Sequence, residues 1–237
     1  MLDITNVNRV KYKEGDTVYI RLADPFKKFK VLKGEVYIVD AHGTFFKPGE
    51  PSYDILIENY EIQGKPVLSL FKHCAQHTVF DSEEDCIMHG QISIYESLRE
   101  EEKEQLNNDL IEKYPFLQSA ISSCGNNWLT TIPAGWRHRI CLRMFEELSK
   151  LDLSNFKILD IKKQRGMLKV YYEGGNEQVD KIIECYENQS AKICWKCGED
   201  AIYSADNLPW CRECALKHHY AKDDATEEEF DEMFLEI

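Results

Sequence analysis

The stretch Cys194-Trp-Lys-Cys197-Gly-Glu-Asp-Ala-Ile-Tyr-Ser-Ala-Asp-Asn-Leu-Pro-Trp-Cys211-Arg-Glu-Cys214 decides how the C-terminal half of this 237-residue chain folds. Two Cys-x-x-Cys knuckles separated by thirteen residues can close around one tetrahedral ion, which predicts a structural Zn²⁺ site held by Cys194, Cys197, Cys211 and Cys214. Lys196 and Gly198 suit a knuckle turn, because glycine accepts the left-handed backbone such a turn requires. Trp195 and Trp210 are placed to pack over the site. A site with four thiolates leaves no position for water or substrate, so the expected role of the metal is folding rather than chemistry.

Working outward from the quartet, residues 134–222 read as an α-β-β-α unit that ends in this zinc ribbon. Trp136, Ile140, Met144, Leu148 and Leu151 recur at helical spacing and mark an amphipathic helix. Phe156–Ile161 and Met167–Tyr172 are two strands around Gln164-Arg-Gly166, which predicts a hairpin. Val179, Ile182, Ile183 and Tyr186 give the second helix. His218 and His219 follow the ribbon; at most one could face the metal, since adjacent helical residues diverge by about 100°, and both read as surface residues.

Residues 1–80 carry short alternating strands at Thr17–Leu22, Glu35–Asp40, Asp54–Glu58 and Val67–Phe71. The turn signals between them are Glu14-Gly-Asp, Lys33-Gly, Lys47-Pro-Gly-Glu-Pro51 and Gln63-Gly-Lys-Pro66. This predicts a small antiparallel barrel of SH3-like type. Residues 81–133 read as an acidic helical connector: a charged run from Glu96 to Glu104, apolar residues at Leu106, Leu110, Ile111 and Tyr114, then an irregular stretch from Ser119 to Asn127. Residues 223–237 form an acidic tail in which Thr226 and Glu229 make a capping box and Phe230, Met233, Phe234 and Ile237 make an apolar stripe. That helix either docks on its own domain or enters a partner's groove. The fold class expected for the whole chain is α+β.

A second cluster, Cys74-x-x-His77 and Cys86-x-x-His89, offers two N/S pairs and a possible second zinc site. Its alternative is a buried Cys74 beside solvent-facing histidines. Enzyme motifs are missing: no histidine is followed two residues later by Glu, as a zinc deaminase needs, and there is no His-Glu-x-x-His or phosphate-binding glycine loop. Asp160-x-Lys162 has the spacing of some metal-dependent nucleases, and a solvated strand face explains it as well. Cys124 and Cys141 have no partner motif that would make either a nucleophile. No catalytic residue is therefore assigned.

The stretch from Leu110-Ile-Glu-Lys-Tyr-Pro-Phe-Leu117 through Gly135-Trp-Arg137 and Ile161-Lys-Lys-Gln-Arg-Gly-Met-Leu-Lys-Val-Tyr-Tyr172 to the four cysteines resembles a domain of phage and prophage zinc-ribbon proteins. In that family a Trp-bearing helix, an Ile-Lys-x-x-x-Gly-x-Leu hairpin and a Cys-x-x-Cys-Gly ribbon follow in this order. The likeness covers residues 110–214, with a shorter segment between Leu117 and Trp136 than the family pattern. It implies a mobile-element origin and zinc ligands at Cys194, Cys197, Cys211 and Cys214. It brings no activity with it.

The formal net charge is −13, and residues 223–237 hold eight acids and no base. Such a field disfavours direct contact with nucleic acid, whose binders carry a basic excess. It favours a basic protein partner. No apolar run reaches the roughly 20 residues of a membrane helix, and Met1–Arg9 lacks the features of a signal peptide; the expected location is the cytoplasm of a host cell. Nine cysteines in that reducing compartment are expected to be thiols or metal ligands.

Together these expectations describe a non-enzymatic phage-type protein that inhibits a host nucleic-acid-binding nuclease, an anti-CRISPR protein directed at Cas9 being the specific form. A zinc-ribbon nucleic-acid or transcription regulator is the alternative, motivated by Lys192, Lys196, Arg212, Lys217 and Lys222. A metal-dependent nuclease at Asp160 and Lys162 is the third.

Overall fold

The computed structural model describes residues 10–23, 29–44, 47–48, 50–62, 65–120, 127–219 and 227–236. The chain divides into two compact units, residues 1–90 and 91–237. The Gln63-Gly turn, Cys124, Lys222, the Thr226 cap and Ile237 lie outside the described residues.

The N-terminal unit is built on one antiparallel sheet. Its strands are β1 (Thr17–Ala23), β2 (Phe29–Asp40), β5 (Ser52–Ile62), β6 (Lys65–Ala75) and β7 (Val79–Phe80), with β3 (Gly43–Thr44) and β4 (Lys47–Pro48) as a separate small pair. Alternation in β1 sends Val18 and Ile20 inward, where they meet Leu32, Val36, Tyr53, Ile55, Ile57 and Val79 in a dry core. Gly34 lies between the inward Leu32 and Val36, and a Cβ there would meet the Leu56 carbonyl oxygen at 2.7 Å. Only glycine lets β5 come that close. A register shift between Val36 and Ile38 leaves both Tyr37 and Ile38 exposed.

The expected SH3-like barrel is not closed. The strand order is β6-β5-β2-β1-β7, so β6 and β7 are the two edges. Closure would require those edges to pair, but β7 has only two residues, both in register with β1, before the chain turns into a helix at Glu83. Too few backbone groups remain to make a closing ladder.

That helix, α1 (Glu83–Ser97), carries the chain across the division between units. Its first turn holds Glu83, Glu84 and Asp85, which suit the positive end of a helix dipole. Among the described residues the segment 81–133 thus contains two α-helices where one was expected; the second, α2 (Glu100–Lys113), ends two residues before Pro115, as its sequence signals.

In the C-terminal unit the α-β-β-α order holds. The run α3 (Ala134–Trp136), a π-helical turn (Arg137–Cys141) and α4 (Leu142–Leu148) buries Trp136, Ile140, Met144 and Leu148 completely. The hairpin β8 (Lys157–Gln164) and β9 (Met167–Glu173) turns at Arg165 and Gly166, both with positive φ. This is the two-residue geometry that follows the natural strand twist. Helix α5 (Glu177–Ser190) starts at Asn176, whose side chain accepts from the amides of Gln178 and Val179. Two α5 side chains reach the free side of β9: Glu187 accepts from the Val170 amide at 2.8 Å and the Ser190 hydroxyl accepts from the Leu168 amide at 2.8 Å. Amides that a third strand would have satisfied are satisfied by the helix instead.

Among the described residues no helix is long and apolar enough to cross a membrane.

Candidate metal centre

The cysteine quartet is assembled from three local pieces. The first is the loop Cys194–Gly198, in which the Gly198 amide donates to the Cys194 carbonyl at 2.9 Å and Gly198 takes φ +80°. The second is the hairpin β10 (Tyr203–Ala205) and β11 (Leu208–Trp210), turned by Asp206 and Asn207, both left-handed. Asx residues tolerate that conformation, so this tight turn needs no glycine. The third is α6 (Arg212–His219), which supplies Cys214 from its first turn with Cys211 immediately before it. The second cysteine pair therefore sits at a helix start, and only the first forms a knuckle.

All four Sγ atoms lie within 4.8 Å of one another, with Cys197 and Cys211 3.5 Å apart. Cys194 and Cys211 are buried and the other two half-buried. The Cys214 amide points at the Cys211 sulfur at 3.4 Å. The thiols share hydrogen bonds: neighbours donating to Cys194 pull its pKa far down, and the nearness of that thiolate drives Cys197 and Cys214 up, so all four can be thiolates together only around a cation. Four thiolates at this spacing need a positive ion between them, and the cluster could hold a metal ion of the kind that soft sulfur donors select.

The centre is anchored from the α3 side. The Trp136 indole Nε1, fully buried, donates to the Ile193 carbonyl at 3.0 Å, and the Gly135 amide donates to the Trp195 carbonyl. A Cβ on Gly135 would lie 2.5 Å from the Cys194 carbonyl oxygen and 2.6 Å from the Gly198 nitrogen, both immovable backbone. The Pro133-Ala-Gly-Trp136 signal gave a helix start, and its contact with the knuckle went unseen in the sequence.

The tail is anchored from the other side. Helix α7 (Glu227–Met233) places Phe230 against the Tyr203 ring at 5.5 Å, and Phe234 just after it meets Trp210 at 5.7 Å. The strand β12 (Leu235–Glu236) then pairs with β10. Of the two readings of the tail, docking on its own unit is the one adopted. His219 is corrected from a surface residue to a buried one, its ring 5.4 Å from that of Phe230, while His218 is exposed against Trp210. Neither histidine joins the cysteine cluster. Trp195 and Trp210 meet edge to face at 5.2 Å.

The second cluster does not assemble. No three of Cys74, His77, Cys86 and His89 bring ligand atoms within 4.8 Å of one another. Cys86 and His89 lie on α1, with the thiol in the core and the imidazole against the Phe80 ring at 4.8 Å. His77 holds Glu50 through Nδ1 at 2.5 Å, and the Cys74 thiol faces the Phe71 carbonyl. Burial pushes both thiols up to about 11, which disfavours the thiolate a metal would bind.

Asp160 and Lys162 form an ion pair with each other at 3.2 Å on the solvent side of β8, and Lys162 lies over the Tyr171 ring. Cys141 is fully buried and its thiol is pushed up to about 12. Of the basic residues near the cysteines, Lys217 pairs with Glu213 at 2.5 Å and Lys196 lies over Trp195.

Compared with protein-family models, with curated proteins and with solved structures, the chain has no match in any of the three.

Proposed function

We propose that this chain is a zinc-stapled, non-catalytic binding protein of phage type that captures a basic host protein and occupies a surface nucleic acid would use. The observation that carries the reading is α2: six of its fourteen residues are acids, five of them exposed, against two lysines. Lys103 is committed to Glu100 at 2.9 Å and Lys113 to Glu146 at 3.2 Å. A rigid anionic helix of this kind competes with a phosphate backbone for a basic groove and speeds encounter with it. Zinc is the ion that a closed set of four thiolates suits best, and its role is to hold the knuckle, hairpin and tail together.

The resemblance to phage zinc-ribbon proteins makes a CRISPR nuclease of the Cas9 type the first partner to test. The nucleic-acid regulator reading has less support, because Lys217 is neutralised by Glu213 and Lys196 rests on an indole. The test is co-elution of the zinc-bound chain with guide-loaded Cas9, followed by DNA loading of the complex. Loss of loading, restored by Glu101→Lys with Glu104→Lys, is the expected result. Absence of any host protein in a bacterial-lysate pull-down, together with salt-sensitive DNA binding by the chain itself, would sink the proposal in favour of the regulator.

A further inference from the structure

A cavity of about 370 Å³ opens in the C-terminal unit between the last turns of α1, the face of α2 and the π-helical turn. Much of its wall is aliphatic: Ile94, Leu98, Leu106, Leu110 and Leu142 line it, all incompletely buried, and Leu106 is 41% exposed. The size is at the lower end of what small-molecule sites enclose.

One buried charge sits among these walls. Arg137 lines the cavity yet is only 3% exposed. Its guanidinium carbon stands 4.6 Å over the Tyr95 ring, and its single hydrogen bond is a long one, 3.4 Å, to the Leu129 carbonyl. It makes no ion pair with any described carboxylate. Burial lowers its pKa, and only Tyr95 and Cys141 offset this electrostatically. Asp109 lines the same cavity but accepts from Gln105 at 2.8 Å, and Lys113 is held by Glu146. His138, also on the wall, has its Nδ1 against the Ala134 carbonyl, and burial pushes its pKa down to about 4, so it is neutral at pH 7.

A guanidinium has five donors in a fork that matches a carboxylate. Leaving one buried without a counter-ion is unfavourable, a deficit a bound anion would relieve. The π-helical turn begins at Arg137, and such turns are frequent where helices build functional sites.

We infer that this cavity binds a small apolar monocarboxylate, a medium-chain fatty acid or aryl-alkanoate, with its carboxylate on Arg137 and its hydrocarbon body against the leucine and isoleucine walls. The inference is independent of the partner proposed above. Polyanions are disfavoured because Asp109 also lines the cavity and most of the remaining surface is apolar, and amines because the one buried charge is positive.

The experiment is calorimetric titration of the zinc-bound chain with octanoate, with octylamine and 1-octanol as charge-reversed and neutral probes. Octanoate is expected to bind with a Kd of about 0.1–1 mM, the range that about ten heavy atoms support. The other two should bind at least tenfold more weakly. Arg137→Met removes the charge and keeps the bulk; it should lose octanoate binding tenfold or more while keeping the wild-type circular dichroism spectrum. If that variant fails to fold, Leu106→Trp fills the mouth and leaves Arg137 in place, and it too should abolish binding. Equal affinity for octanol and octanoate, unchanged binding in Arg137→Met, or no octanoate binding by the folded wild type would each overturn the inference.

Discussion

The backbone N–H of Gly135 donates to the carbonyl oxygen of Trp195 at 3.1 Å, which fastens the first turn of α3 to the loop carrying Cys194 and Cys197. The cysteine cluster is thereby part of the core of its unit rather than an appendage.

Gly135→Ala tests this fastening. The added methyl would meet three backbone atoms within 2.8 Å, none able to swing aside. Overpacking of this kind costs about 1–3 kcal/mol. The variant should melt at lower temperature and yield its metal to a competing chelator sooner than wild type. Unchanged melting and unchanged metal retention would show that the knuckle tolerates displacement.

Metal removal should undo more than the cysteine loop. Structural zinc contributes on the order of 10 kcal/mol in small domains, and the hairpin between the cysteine pairs carries Trp210 and Tyr203, on which Phe230 and Phe234 rest. Chelation, or Cys194→Ser, is expected to red-shift the tryptophan emission and speed proteolysis around residues 193–236, while the N-terminal sheet keeps its amide protection. Full retention of the native emission after verified metal loss would contradict the staple.

His138 predicts an acid-side loss of stability. Burial first, and the neighbouring Arg137 in addition, depress its pKa from 6.5 to about 4. Between these values the unfolded chain binds a proton that the native state does not, so stability rises with pH across the window. The stability from this group is therefore complete above pH 6.5 and lost as pH falls towards 4, by about 2–3 kcal/mol. Urea melts of His138→Gln should show a shallower decline over that window than wild type; parallel declines would remove His138 as the cause.

Asn107 is fully buried on α2, and neither its Oδ1 nor its Nδ2 finds a hydrogen-bond partner. An unsatisfied buried amide costs about 1–3 kcal/mol, and replacing it by an apolar group of similar branching recovers part of that. Asn107→Leu is expected to raise the chemical-denaturation midpoint. A lowered midpoint would reveal a buried water bonded to the amide.

The features legible in the sequence were those fixed by local rules. Ligand spacing marked the cysteines, side-chain alternation marked β1 and β5, and Val179, Ile182, Ile183 and Tyr186 at helical spacing marked α5. Barrel closure was not legible, because it depends on whether distant edges meet, and β7 stops after Phe80. Helix α1 was missed because its acidic first turn reads as a loop, although the same charges favour a helix start. Cys86 and His89 looked like a ligand pair by spacing alone, yet one points into the core and the other at an aromatic ring. Gly135 and Arg137 entered only as part of a resemblance; their contacts depend on what the fold sets against them.

The pairing of Leu235 with Ser204 and of Glu236 with Tyr203 would give an ion held by the cysteines an influence on how long the molecule survives. Loss of an ion held there would loosen the hairpin, release the short strand and expose buried Phe230, Phe234 and Trp210 together, as the apolar, irregular segment that proteases and chaperones engage. Wherever such quality control operates, the amount of this protein would follow the supply of its metal.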